Sequence, residues 1–283
     1  MFREDFVWGV ASSAYQVEGT DAADGRGACV WDMFAADGRV FEHQNAGTSC
    51  DHMHHYKEDI ALMKHLGIRA YRFSLNWARI LPEGTGRVNE KAIAMYRDMI
   101  LTMKENGITP YLTLFHWEFP QALYERGGWQ NPDVVQWFGE YAKVVAENFS
   151  DICEYFITIN EPQCVVGLGH LSGVHAPGVK LPVAQTFLVA HHLLMAHGQA
   201  VINLRRYAVR PVKIGFAPTG GVAYPYTDRP EDIEAAKKVY FGFYNPIDNW
   251  TWNVSWFSDP VFLGHYPEEG LKKFAPYLPE ITQ

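Results

Sequence analysis

The sequence has no apolar run long enough to cross a bilayer and no basic, apolar leader at Met1-Phe2-Arg3-Glu4-Asp5. It has no surplus of positive charge either. Lys and Arg number 24 against 32 Asp and Glu, and the net charge of -8 speaks against a nucleic-acid or anionic-membrane partner. Cysteine is scarce. Cys29, Cys50, Cys153 and Cys164 show no close pair and no metal-type spacing, which predicts reduced thiols, a cytoplasmic chain and no disulfide framework. The sequons at Asn148, Asn249 and Asn253 are read as chance in a chain without a leader. No glycine-rich phosphate fingerprint follows the first strand, so no nucleotide cofactor is expected.

What remains is a globular composition, 48% hydrophobic over 283 residues, with ample material for a core. Val7 to Tyr15 reads as a first strand, followed by a polar loop to about Ser49. Asp51 is placed to cap a helix with the stripe Tyr56, Ile60, Met63, ended by Gly67. Ala70 to Ile80 reads as the second strand, and Asn89 opens a helix with Ile93, Tyr96, Ile100 and Met103 on one face. Thr109 to Phe115 is the third strand. Asn131-Pro132 starts a helix that buries Val134, Phe138, Tyr141 and Val145. A loop to Pro182 precedes a helix with Phe187, Ala190, Leu194 and Val201 inward, and Val212 to Phe216 is the fifth strand. This alternation predicts parallel βαβ units. A doubly wound sheet and a (β/α)8 barrel both fit it.

The fourth strand is Phe156-Ile157-Thr158-Ile159, which alternates β-branched and aromatic residues and ends at Asn160-Glu161-Pro162. A carboxylate at the C-terminal end of a buried strand stands where barrel enzymes keep their catalytic groups. The other strand ends are also polar. They offer Gln16 and Glu18, then Arg72, then His116, Trp117 and Glu118. Gln, His and Asn suit a neutral, hydroxyl-rich ligand, and Trp stacks on an apolar sugar face. Hydrolysis of a glycoside needs two carboxyl groups, and Glu161 is the candidate acid.

With these motifs in this order, the chain resembles glycoside hydrolase family 1, the β-glucosidases and 6-phospho-β-glucosidases. The resemblance rests on Phe6 to Gly19, Arg72-Phe73-Ser74 with Trp77, His116-Trp117, Gly128-Trp129, Thr158 to Pro162, Trp256-Phe257, Asp259-Pro260 and Gly264 to Pro267. It implies an α/β fold, the (β/α)8 barrel, and a retaining double displacement without a cofactor. Glu161 is then the acid/base, and Arg72 stands beside the nucleophile. Gln16, His116, Trp117 and Asn160 are implied to hold the sugar of a β-glycoside or oligosaccharide. His170 and Glu118 depart from the family's usual residues, and Glu18 and Glu118 read as structural.

The family's nucleophile lies in a Thr-Glu-Asn-Gly motif on the seventh strand, and no such motif occurs among these residues. The expectation is therefore one incomplete barrel domain over residues 1–283, with strands 1 to 5 present and 6 to 8 absent, inactive by itself. Open sheet edges would need a complementary C-terminal chain or a second copy. Inward side chains such as Phe73, Leu112, Leu114 and Phe156 are expected to lose their partners across the barrel. Two other classes compete. One is a non-catalytic sugar-binding or assembly protein built on a half-barrel. The other is a metal enzyme using Asp51, His52, His54, His55 and His116.

Overall fold

Side chains that alternate β-branched and aromatic fit a pleated surface. In the computed structural model, which describes residues 2–20 and 22–279, five segments pair in chain order as one sheet. They are β1 (Gly9–Ala11), β2 (Ala70–Ser74), β3 (Thr109–Phe115), β4 (Tyr155–Asn160) and β5 (Lys213–Ala217), and β4 is the one with that alternation. The first four pair parallel, with Arg72 level with Tyr111 and Leu112 level with Phe156. β5 runs the same way, since Lys213 N–H bonds to Glu154 O and Glu161 N–H to Ala217 O, both at 2.8 Å.

The helices, in chain order, are α1 (Ala14–Val17), α2 (Val30–Ala36), α3 (His52–His65), α4 (Trp77–Ile80), α5 (Glu90–Glu105), α6 (Gln121–Tyr124) and α7 (Val134–Phe149). After β4 come α8 (Pro162–Cys164), extended by a wider π turn over Val165–Leu171, and α9 (Val183–Tyr207). α10 (Pro230–Phe241), α11 (Val254–Phe262) and α12 (Glu268–Phe274) follow β5. The chain forms two compact units, Met1–Asn160 with Gln199–Phe216, and Glu161–Gly198 with Ala217–Gln283.

The core of the first unit is aromatic. Trp77 stacks on Tyr141 at 5.0 Å, with Phe115, Phe119, Trp129 and Phe138 around the pair. The polar ends of the stacked pair are satisfied, as buried Trp and Tyr require. Trp77 Nε1 donates to Gly84 O at 2.9 Å, and the Tyr141 hydroxyl donates to Leu114 O at 3.0 Å. In the second unit Phe187 stacks on Trp250 at 3.8 Å, with Trp256 and Phe274 closing the cluster.

Several boundaries differ from the sequence reading. The first strand is only Gly9–Ala11, because Ala14 N–H bonds to the Ser74 hydroxyl at 2.7 Å and turns the chain into α1. The second strand stops at Ser74, where Asn76 accepts Arg79 N–H and starts α4. The polar stretch before Ser49 contains α2, whose N3 Asp32 accepts Cys29 N–H at 2.8 Å. Asp51 does precede α3, but in a left-handed conformation and with no side-chain cap; its carboxylate binds His54 instead. Phe73, Leu112, Leu114 and Phe156, of which any inward-pointing ones were expected to lose their partners across the barrel, are all buried, while β1 is exposed along its length. Exposure thus falls on an edge strand rather than on the faces of the central strands.

Replacing Trp77 by alanine removes a fully buried ring and the pairing with Tyr141. The expected loss is about 3–5 kcal/mol, read as a lower urea midpoint with an unchanged slope.

Candidate active site

Asn160 closes β4 with its side chain buried, and three other candidate residues converge on it. Its Oδ1 accepts from Arg72 Nη2 at 2.5 Å, and its Nδ2 donates to His116 Nε2 at 3.2 Å. Its backbone oxygen accepts from Trp117 Nε1 at 3.0 Å. Arg72 also donates from Nε to Thr113 Oγ1 at 2.9 Å. Arg72, His116, Trp117 and Asn160 are therefore brought together at the C-terminal ends of β2, β3 and β4. Arg72 is held on two sides. Thr113 was not singled out in the sequence; a threonine among the apolar residues of β3 was the available signal.

Geometry sets the chemistry of His116. An Nε2 that accepts from Asn160 leaves the ring proton on Nδ1, which is buried without a partner among the described residues. Burial, followed by the Arg72 charge, lowers the His116 pKa from 6.5 to about 4. The ring is neutral at physiological pH and suited to hydrogen bonding rather than to carrying charge.

The backbone at two of these positions is strained. Trp117 stands at φ 88° and Glu161 at φ 45°, conformations that side chains other than glycine's rarely adopt. Such strain collects at functional sites because the surroundings must impose it. Glu161, next in the chain after Asn160, donates its N–H to Ala217 O at 2.8 Å, and its carbonyl accepts from Cys164 at 3.0 Å. Pro162 at the first helical position fixes the exit. Cys164 is buried there, and burial with the nearby Glu161 carboxylate pushes its thiol up to about 12. That thiol is no nucleophile.

Gln16 is exposed on α1, immediately after β1. Glu18 and Glu118 are buried. Glu18 pairs with Arg79 at 3.3 Å and accepts the Tyr96 hydroxyl at 2.8 Å, while Arg79 also binds Asp24. His170 is buried too, with Nδ1 2.8 Å from Val165 O. The histidines at the start of α3 pair with carboxylates: His52 with Asp59 and His54 with Asp51, each at 2.6 Å. Among the described residues, no group of three or more His, Cys, Asp or Glu is arranged to hold a metal ion. No helix of the described residues is long and apolar enough to cross a membrane.

The sequence profile described as Glycosyl hydrolase family 1 matches residues 1–283. Beta-glucosidase A of Thermotoga maritima is 43% identical over 280 residues, covering 99% of this chain and 60% of that protein. Beta-glucosidase A of Acetivibrio thermocellus is 41% identical, covering 96% of this chain and 58% of that protein. The solved Thermotoga maritima beta-glucosidase in complex with deoxynojirimycin aligns with a TM-score of 0.87 at 42% identity, over 99% of this chain and 61% of that one. The chain thus spans about 60% of the length of the relatives it matches. With these neighbours, the five-stranded sheet is a partial (β/α)8 barrel, as the family resemblance implied and the order of elements alone left open.

The Arg72→Met variant should raise the His116 pKa from about 4 toward, but not to, 6.5, because burial persists; ring-proton NMR titration reads this. The folded pKa lies below the unfolded one, so the unfolded chain binds the extra proton. His116 therefore costs stability as pH falls from 6.5 to about 4, and a His116→Gln variant should show a shallower acid limb in that window.

Proposed function

Because the chain belongs to glycosyl hydrolase family 1, we propose that it serves retaining hydrolysis of a β-glycoside, with an unphosphorylated glucoside as the favoured substrate. The observation that carries this reading is the Asn160 knot, with Arg72 and His116 bound to one amide and Glu161 following it directly in a strained conformation. Glu161 is the acid/base. It protonates the leaving oxygen in the first step and takes a proton from water in the second. His116 and Asn160 are the sugar's hydrogen-bonding groups, joined by Gln16, and Trp117 offers its ring to the sugar's apolar face. Arg72 is assigned to the neighbourhood of the nucleophile, where a fixed cation stabilises an anionic carboxylate.

Residues 1–283 hold no Thr-Glu-Asn-Gly segment, so in this reading the nucleophilic carboxylate comes from outside them. A retaining site needs its two carboxyl groups about 5–5.5 Å apart. We read these residues as one incomplete barrel domain. Among the described residues β1 and β5 each pair with one strand only, and an open edge carries unpaired backbone groups that another strand can take up. A complementary C-terminal polypeptide, or failing that a second copy, is the partner proposed for those edges. The competing reading, a non-catalytic sugar-binding protein, draws on the same knot without the second carboxylate.

In an assembly that hydrolyses aryl β-glucosides, Glu161→Gln should lower kcat by about 10²–10⁴-fold for poor leaving groups and far less for activated aryl ones. Equal losses on both classes would remove Glu161 from the acid/base role. The polypeptide 1–283 alone should show no turnover and should sediment as more than a 32.2 kDa monomer. A clean monomer that unfolds cooperatively, or one that turns over normally, would defeat that reading.

A further inference from the structure

Glu118 lies two residues beyond His116, past the strained Trp117, and its side chain is fully buried. Its Oε1 accepts the backbone N–H of Tyr15 at 2.7 Å. Tyr15 precedes Gln16 in α1, a four-residue turn without a side-chain cap. So short a turn has no stability of its own, and external bonds to its N–H groups must orient it. β1, which leads into it, is exposed. The Ser74 hydroxyl takes Ala14 N–H at the end of β2, and Glu118 takes Tyr15 N–H beyond β3.

We propose that Glu118 is a positioning residue that clamps the turn carrying Gln16 to the strand end carrying His116 and Trp117. The proposal rests on the reading of Gln16 and His116 as sugar-binding groups. A direct link between those two segments fixes the spacing of hydrogen-bonding groups that come from separate parts of the chain. Misplacing such a group by about 1 Å is enough to cost up to about a hundredfold. The state of the carboxyl group fits a clamp rather than a charge. Burial pushes it up to about 8, against the pull of the Tyr15 N–H, so it is protonated at neutral pH. Oε1 then accepts as a carbonyl oxygen, and Oε2 is buried without a partner among the described residues. A glutamine amide reproduces that arrangement, oxygen for oxygen.

The test combines amide exchange with calorimetric binding of deoxynojirimycin, the ligand of one solved relative. The Tyr15 amide should be protected in the unmodified protein and in Glu118→Gln, and should exchange faster in Glu118→Met. Binding should weaken by about tenfold to a hundredfold in Glu118→Met and stay within about twofold in Glu118→Gln. Adding Glu118→Met to Gln16→Ala should cost little beyond Gln16→Ala alone, since both remove the same contact. A merely structural role would give additive losses. Additive losses, a freely exchanging Tyr15 amide in the unmodified protein, or a Glu118→Gln variant as weak as Glu118→Met would each overturn the clamp. If Glu118→Met does not fold, the exchange of Tyr15 and the Glu118→Gln binding still decide. Failure of the unmodified protein to bind deoxynojirimycin, with Tyr15 protected, would instead overturn the sugar-site reading and the positioning role that rests on it.

Discussion

The amide of Asn160 is the point on which the candidate site depends. One side chain accepts from a guanidinium and donates to an imidazole, and its own backbone oxygen takes the indole of Trp117. An amide is suited to this because it offers an acceptor and a donor in one rigid plane. An aspartate there would accept from Arg72 but could not donate to a neutral His116. With the knot in place, the tautomer of His116, the direction of Arg72 and the tilt of Trp117 follow together.

A second layer of buried polar groups holds the loops around that knot. Glu18 meets Arg79 and the Tyr96 hydroxyl, Arg79 reaches Asp24, and the Asn89 side chain ties the carbonyls of Asp24 and Arg79 at 2.9 and 3.0 Å. Taking charges out of water is costly, and burial raises the Glu18 pKa against the opposing pull of Arg79. Such a network stabilises little in net terms, yet removing one partner strands the others. It therefore specifies one arrangement of the segment from Glu18 to Asp24. This segment follows Gln16, so loop order and site geometry are linked through charge as well as through packing.

The exposed part of the sheet shows what the aromatic core does and does not secure. Central strands keep Phe73, Leu112 and Phe156 buried, and β1 is left exposed with a single neighbouring strand among the described residues. Packing by helices covers a strand's faces, but only another strand satisfies its edge. Stability of the two kinds must come from different sources.

Much of this was legible in the sequence. The period of Ile93, Tyr96, Ile100 and Met103 marked the buried face of α5, and all four are buried. The segment read as the third strand, Thr109 to Phe115, coincides with β3 to the residue. Asn-Glu-Pro after a β-branched run marked the end of β4, and ordered motifs along the chain identified the family. These are local signals, carried by side-chain spacing and by turn chemistry. Tertiary structure alone decided which polar groups meet. Nothing local shows that Ser74 cuts β1 short by capturing Ala14, that Glu118 reaches the backbone of Tyr15, or that Arg72 is shared between Thr113 and Asn160. Those partners lie 41 to 103 residues apart, and a hydrogen bond between them exists only once the sheet has set the strands in register.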